Sequence, residues 1–258
     1  MPMDVSQAVR AVCLSLPEAE EKPSHGFPDF RVRGKSFASF VVNHHGDGRV
    51  ALWLNVSPGA QQAYCEAEPK HFFVPPYVGP RGWLGVHLDK GLSWKRIATL
   101  VREAYEKVAP AALVRRIGKP VAIPAKVVPL SAEQKDPMHG VRAQAVLKAL
   151  RKICLALPET SEATQFGSPV WRAGKKVFAS MNARERRVTL MFWVGIEGQA
   201  IVTRDPRYHV PPYIGHNGWI ALDVTKNCDW TEVRALASTS YQHYALRRML
   251  KRGRDLTF

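Results

Sequence analysis

The chain has no run approaching the roughly 18–20 apolar residues of a membrane span, which excludes a helical integral membrane protein. Its opening, Met1-Pro2-Met3-Asp4, lacks a basic start followed by an apolar block, so no secretory signal is expected. Cysteine is sparse. Cys13, Cys65, Cys154 and Cys228 form no C-x-x-C pair and have no histidine at zinc-ligand spacing, so no metal is expected. Four free thiols in a reducing cytoplasm are the expectation, with Cys13 and Cys154 serving as small hydrophobes on apolar helix stripes. Acid is in the minority, 22 Asp and Glu against 37 Lys and Arg, for a net charge of +15. Such a field attracts polyanions and repels cations. Absent too are a Gly-x-Ser-x-Gly elbow, a dinucleotide fingerprint, a P-loop and a paired-carboxylate signature. A non-enzyme without cofactor is therefore expected. Catalytic groups that converge only in the fold are left open.

What is present is a core-forming composition, written twice. The 258 residues are 46% apolar and 23% charged, enough for one or two domains of about 150 residues. The positive excess is shared, +6 in residues 1–130 and +9 in residues 131–258. Val12-Cys13-Leu14-Ser15-Leu16-Pro17-Glu18 returns as Ile153-Cys154-Leu155-Ala156-Leu157-Pro158-Glu159. Gly34-Lys35-Ser36-Phe37-Ala38-Ser39 returns as Gly174-Lys175-Lys176-Val177-Phe178-Ala179-Ser180, read as carrying one inserted residue. Val74-Pro75-Pro76-Tyr77-Val78-Gly79 returns as Val210-Pro211-Pro212-Tyr213-Ile214-Gly215, and Gly82-Trp83, Trp94 and Tyr105 return as Gly218-Trp219, Trp230 and Tyr241. The offset drifts from 141 to 136, as shortened loops would make it. That period is far too long for a solenoid, so a domain has been duplicated.

The reading is repeat 1 over residues 1–109, a basic proline-punctuated linker over 110–140, and repeat 2 over 141–258 with a basic tail. Prolines 110, 120, 124, 129 and 137 stiffen the linker, and Val121, Ile123, Val127 and Val128 let it dock along one domain. Val5, Ala8, Val9, Val12, Cys13 and Leu16 make one helix face, stopped by Pro17. Strands are expected at Phe30–Arg33, Ser36–Asn43 and Arg49–Val56, then a helix at Gly59–Ala67, then strands at Phe72–Val74 and Leu84–Leu88. Ser93 caps a last helix with Trp94, Ile97, Val101, Ala104 and Tyr105 inward. The order α-β-β-β-α-β-β-α predicts a two-layer α+β domain, its sheet antiparallel and its helices on one side.

The helix ending in Leu-Pro-Glu, the Gly79-Pro80-Arg81-Gly82-Trp83 turn, the Trp94 helix start and Tyr105 together resemble the MmcQ/YjbR family, over residues 5–108 and again over 144–247. The resemblance implies a CyaY-like α+β fold, also likened to secretion chaperones. It further implies a DNA-binding role through a "double wing" of hairpins, and no catalytic residues. The departures are the Pro75-Pro76 approach and His216-Asn217 in place of Pro80-Arg81.

Two surfaces are candidates. The phosphate-directed one comprises Arg31, Arg33 and Lys35 at the first hairpin, Arg81 in the glycine turn, and Arg184, Arg186 and Arg187 at the hairpin of repeat 2. No base-reading element is legible, so DNA or another polyanion would be held by its backbone. The alternative is a protein-interaction or small-ligand module using the sheet face or a rim of Tyr77, Trp83, Tyr213 and Trp219, residues that also suit a purely structural glycine turn. His44-His45-x-Asp47 is read as a turn. The repeats are expected to pack as a pseudo-twofold pair in a monomer, with no membrane partner.

Overall fold

The first helix, α1 (Val5–Leu14), begins at a capping box: Asp4 accepts from the Gln7 amide at 2.8 Å, and Gln7 accepts from the Asp4 amide at 2.9 Å. The computed structural model describes residues 2–184 and 187–254, the side chains of Arg184 and of residues 252–254 excepted. It divides into two units, Met1–Lys135 and Asp136–Phe258.

In the first unit α1 is followed by β1 (Ala19–Ser24), β2 (Phe27–Val32), β3 (Lys35–Val42), β4 (Val50–Asn55), α2 (Ala60–Ala67), β5 (Phe72–Phe73), β6 (Trp83–His87) and α3 (Trp94–Val108). Two short helices, α4 (Ala111–Val114) and α5 (Ala132–Lys135), close the unit. The second unit runs α6 (Val141–Leu155), β7 (Thr160–Gln165), β8 (Ser168–Ala173), β9 (Lys176–Arg184), β10 (Arg187–Trp193), α7 (Gly195–Val202), β11 (Tyr208–His209), β12 (Trp219–Asp223), α8 (Trp230–Tyr244) and α9 (Arg247–Arg254). Each unit is α+β around a six-stranded antiparallel sheet, ordered β1-β2-β3-β4-β6-β5 and β7-β8-β9-β10-β12-β11.

Each repeat has one strand more than the periodicity predicts: β1 and β7 precede the three expected strands. Both are polar, half-exposed edges, so they carry no buried alternation for a pattern to reveal. They form because His25-Gly26 and Phe166-Gly167 hold positive φ at both positions of a two-residue turn, the type I′ geometry that hairpin twist favours. The expected insertion in the Gly-Lys motif is also absent. Val32 pairs with Lys35 and Ala173 with Lys176, two turn residues in each case. The glycine has moved one place within the turn. Arg33 and Gly34 both have positive φ, whereas in the second repeat Gly174 does and Lys175 does not, a change toward type II′. The offset holds at 141 through β3 and β9, falls to 138 after a shorter β9–β10 connection, and reaches 136 between α2 and β5.

The repeated Phe-Ala-Ser motif is a β-bulge. Register shifts between Phe30 and Arg31, and again between Trp171 and Arg172, so Phe37 and Ala38 both face the core, as do Phe178 and Ala179. Phe37 meets Tyr105 edge-on at 5.4 Å, and Phe178 meets Tyr241 at 5.5 Å. Each tyrosine hydroxyl donates to a carbonyl of the Leu-Pro-Glu turn, Tyr105 to Pro17 at 2.6 Å and Tyr241 to Pro158 at 2.8 Å. The main cores lie between α1 and α3, or α6 and α8, and one sheet face.

Residues 110–135 are docked. Leu113 and Leu130 are buried in the first core, with Ile117, Val121, Ile123 and Val127 packed against it. The Val128 amide donates to Met3 and its carbonyl accepts from Val5, tying the segment to the start of α1. All four cysteines are free thiols, Cys13 and Cys154 buried, and burial pushes those two thiols far up. No helix among the described residues is long and apolar enough to cross a membrane.

Candidate functional site

The Pro-Pro-Tyr loop joins β5 to β6 and β11 to β12, and both copies are built alike. A Cβ on Gly79 would lie 2.5 Å from Val74 Cγ1, and one on Gly215 would lie 2.3 Å from Val210 Cγ1, so no side chain fits. Gly82 and Gly218 take φ of 82° and 85°, the left-handed region that glycine enters without strain. Gln61 on α2 donates its side-chain amide to the carbonyls of Gly79 (2.8 Å) and Trp83. Gln199 on α7 repeats this on Gly215 (2.8 Å) and Trp219 (2.7 Å). These glutamines escaped the sequence reading. Their shared offset of 138, with Val56 and Val194 alongside, is the signal that marks them.

The clamped loops present Tyr77 and Tyr213 with φ of 63° and 67° and exposures of 69% and 87%. A bulky residue in left-handed geometry is a strained position. Both repeats hold it, and both leave the ring outside. The tryptophans sit deeper. Trp83 is half-buried against the second face of the first sheet, and Trp219 is buried, donating Nε1 to the Tyr244 hydroxyl at 3.0 Å. The expected aromatic rim thus divides into exposed tyrosines and packed tryptophans.

The second face of the first sheet is roofed. Val41, Ala51 and Trp53 pack there with Phe27, Phe73, Val78 and Trp83. His44 lies 5.1 Å from the Trp53 ring and 5.8 Å from Phe27, and the Tyr77 hydroxyl reaches His45 Nε2 at 3.3 Å. A shallow groove of about 490 Å³ opens beside them, lined by His44, His45, Asp47, Arg49, Pro76 and Tyr77. Arg49 stands 4.4 Å over Phe73, and Phe73 meets His87 at 4.7 Å. Burial, then the Arg49 charge, holds the His87 imidazole below its ordinary value, and its Nδ1 is buried without a hydrogen bond. Among the described residues no three His, Cys, Asp or Glu side chains converge on a metal-sized site.

The basic candidates do not gather into one patch. Arg31 donates Nε to Asp29 at 2.6 Å, and Arg33 pairs with Glu18 at 2.7 Å, so carboxylates already neutralise two residues expected to face phosphates. Lys35, Arg81 and Arg187 are exposed and in no ion pair among the described residues, although the Arg187 charge acts on Asp223. Arg184 and Arg186 fall where the side chain lies outside the described residues. Elsewhere charge is sorted by residue type. Arginines take the acids: Arg10 with Glu21 (2.8 Å), Arg102 with Glu106 (2.7 Å), Arg151 with Glu162 (2.6 Å), Arg207 with Asp205 (2.7 Å) and Glu232 (2.9 Å), and Arg248 with Glu159 (3.0 Å). Among the described residues Lys22 is the one lysine in such a pair. The planar guanidinium fork suits carboxylates, and lysines are left as point charges in solvent. Helix α6 contains Arg142, Lys148, Arg151 and Lys152 and no acid. Lys148 and Lys152, one turn apart, are exposed; so are Arg234 on α8 and Arg247 and Lys251 on α9, none with a carboxylate partner among the described residues.

Two copies of one α+β sheet domain, each with a glutamine-clamped Pro-Pro-Tyr loop, define a tandem-repeat α+β protein. The family model described as YjbR matches residues 14–107 and again residues 155–243, and the chain belongs to the YjbR family. Among curated proteins none matches. A solved structure, the Deinococcus radiodurans protein DR2400 with a DUF419 domain, is 24% identical. Its alignment covers 46% of this chain and 90% of that one, with a TM-score of 0.36.

Proposed function

We propose that the chain is a non-catalytic, phosphate-directed DNA-binding protein whose second unit supplies the principal contact. The observation that carries this reading is the acid-free helix α6, with Lys148 and Lys152 exposed and unpaired in the unit that also presents Arg234, Arg247 and Lys251. Lysines in solvent are the groups that displace counterions from a nucleic-acid backbone, and nothing beside them reads base edges. Lys35, Arg81 and Arg187 add to the field, whereas Arg31 and Arg33 are compensated by Asp29 and Glu18.

The test is a titration of the full chain against a fluorescent 20-base-pair duplex of arbitrary sequence at about 50 and 200 mM salt. With roughly five phosphate contacts, affinity falls about 10²–10³-fold across that range, from a slope near −0.9 per contact. The Lys148→Gln/Lys152→Gln variant lowers that slope by about 2 and weakens binding to all sequences alike. No binding at low salt sinks the reading. An unchanged slope in the variant removes α6 from it. Arg187→Gln, measured alongside, shows whether the hairpin of the second sheet contributes.

A second reading rests on the exposed left-handed tyrosines. Tyr77 and Tyr213 are held out by the same clamp in both units, the geometry of an aromatic contact offered to a protein or small-ligand partner. A partner whose affinity falls on Tyr213→Ala while the DNA salt slope is unchanged would favour it.

A further inference from the structure

Asp29 and Arg31 sit side by side on the sheet face that α1 and α3 do not cover, because Phe30 and Val32 between and beyond them point into the core. Asp29 is 3% exposed and fully engaged. It accepts from Arg31 Nε at 2.6 Å, Ser36 Oγ at 2.7 Å and Ser39 Oγ at 2.5 Å. Glu20 lies directly across the ladder from Arg31. The first unit thus supplies its arginine with a counter-ion, Asp29, while Glu20 pairs with Lys22 at 3.0 Å.

The same ladder in the second unit keeps the arginine and deletes both acids. Arg172 occupies the position of Arg31, paired with Ser161 on β7 and Val177 on β9. Val170 stands where Asp29 does, opposite Ser180. Ser161 replaces Glu20, Ala163 replaces Lys22, and Val177 replaces Ser36. Arg172 Nε is buried without a hydrogen-bond partner. A guanidinium keeps its proton at any physiological pH, so Val170 in place of the one paired carboxylate leaves a half-buried charge with an unmatched Nε donor. In the first unit a roof of His44, Tyr77 and Trp53 also covers this face. In the second unit the β9–β10 connection is shorter, and Tyr213 stays 87% exposed.

We infer that Arg172, on the face of the second sheet turned away from α6, is an oxyanion-binding group, and that a ligand's phosphate or carboxylate takes the counter-ion role that Asp29 has in the first unit. Val170 and Val177 are the neighbours of Arg172 on that face, so the group beside the anion is apolar rather than a second charge. The site lies on the opposite side of the sheet from α6 and is independent of the DNA reading.

The test follows the arginine Nε–Hε resonances of the full ¹⁵N-labelled chain during addition of sodium phosphate and, separately, sodium succinate at constant ionic strength. The expected result is one saturable shift, at a resonance that Arg172→Lys removes. Val170→Asp, which keeps Arg172 and rebuilds the first unit's internal counter-ion, weakens the response about tenfold or more, the scale of one charge-assisted hydrogen bond. That variant also serves should Arg172→Lys fail to fold. Saturation by phosphate alone assigns a phosphorylated ligand, and by succinate alone a carboxylate. The Lys148→Gln/Lys152→Gln chain retains the shift, which separates this site from DNA contact. No saturable shift with either anion, or one confined to other arginines, or one undiminished by Val170→Asp, overturns the inference.

Discussion

A single amide on α2 or α7 holds both ends of the loop that gives each repeat its most exposed aromatic ring. The Gly215 carbonyl also accepts from the Gly218 amide at 3.0 Å, so Gln199→Leu orphans chiefly the carbonyl of the buried Trp219. The expected cost is about 1–3 kcal/mol, the penalty of an unmade buried hydrogen bond, read from the midpoint of urea unfolding. His87 adds a pH dependence confined to the first unit. Its folded-state pKa is lowered from 6.5, so the unfolded chain binds the proton more readily. Its neutral form therefore contributes stability that is fully present above about pH 6.5 and is lost as pH falls through the lowered value. Unfolding measured between pH 7.5 and 5 shows this loss in the wild type. The loss is smaller in His87→Gln. An equal loss in both assigns the acid sensitivity elsewhere.

Among the elements, the edge strands β1 and β7 show how far local chemistry can replace burial. Neither has an apolar face, and each depends on a two-residue turn with both positions left-handed. In Phe166-Gly167 the phenylalanine already takes φ of 51°, so Gly167 at 77° is the position that relieves the turn. Gly167→Ala should cost about 1–2 kcal/mol, the steric price of left-handed geometry for a residue with a Cβ. It should speed hydrogen exchange along Thr160–Gln165 while leaving α6 protected. Uniform acceleration across the unit would instead mean that β7 is integral to the core. The β3 and β9 bulges work in the other direction. They turn two successive residues inward and set Phe37 and Phe178 against the tyrosines of the last helices.

At the scale of the molecule, duplication has left two sheets of one topology with different second faces. The first is roofed by aromatic rings and supplies its own carboxylate to Arg31; the second puts Ser168, Met191 and His209 where Phe27, Trp53 and Phe73 stand, and Val170 in place of Asp29. The net charge of +15 belongs to this scale too, because no one cluster accounts for it. Pairing of arginines with acids neutralises the local clusters and leaves the excess on scattered lysines and unpaired arginines. That arrangement gives a long-range positive field.

The amino-acid sequence by itself determined the duplication, the α+β class, three helices and five strands of each repeat, and the Pro-Pro-Tyr-x-Gly-x-x-Gly-Trp loop, because repeats, periodicity and turn chemistry are local properties of the chain. Only the tertiary structure decided which cations are free. Arg33 meets Glu18, Arg116 reaches the same carboxylate from 98 positions away, and Arg172 lacks the acid that its counterpart Arg31 has, all through strand register and helix packing. The glutamine clamps belong to the same category, since Gln61 and Gln199 act on carbonyls about 20 residues downstream. A side chain's type is written in the sequence, but its counter-ion is whatever the fold sets opposite it.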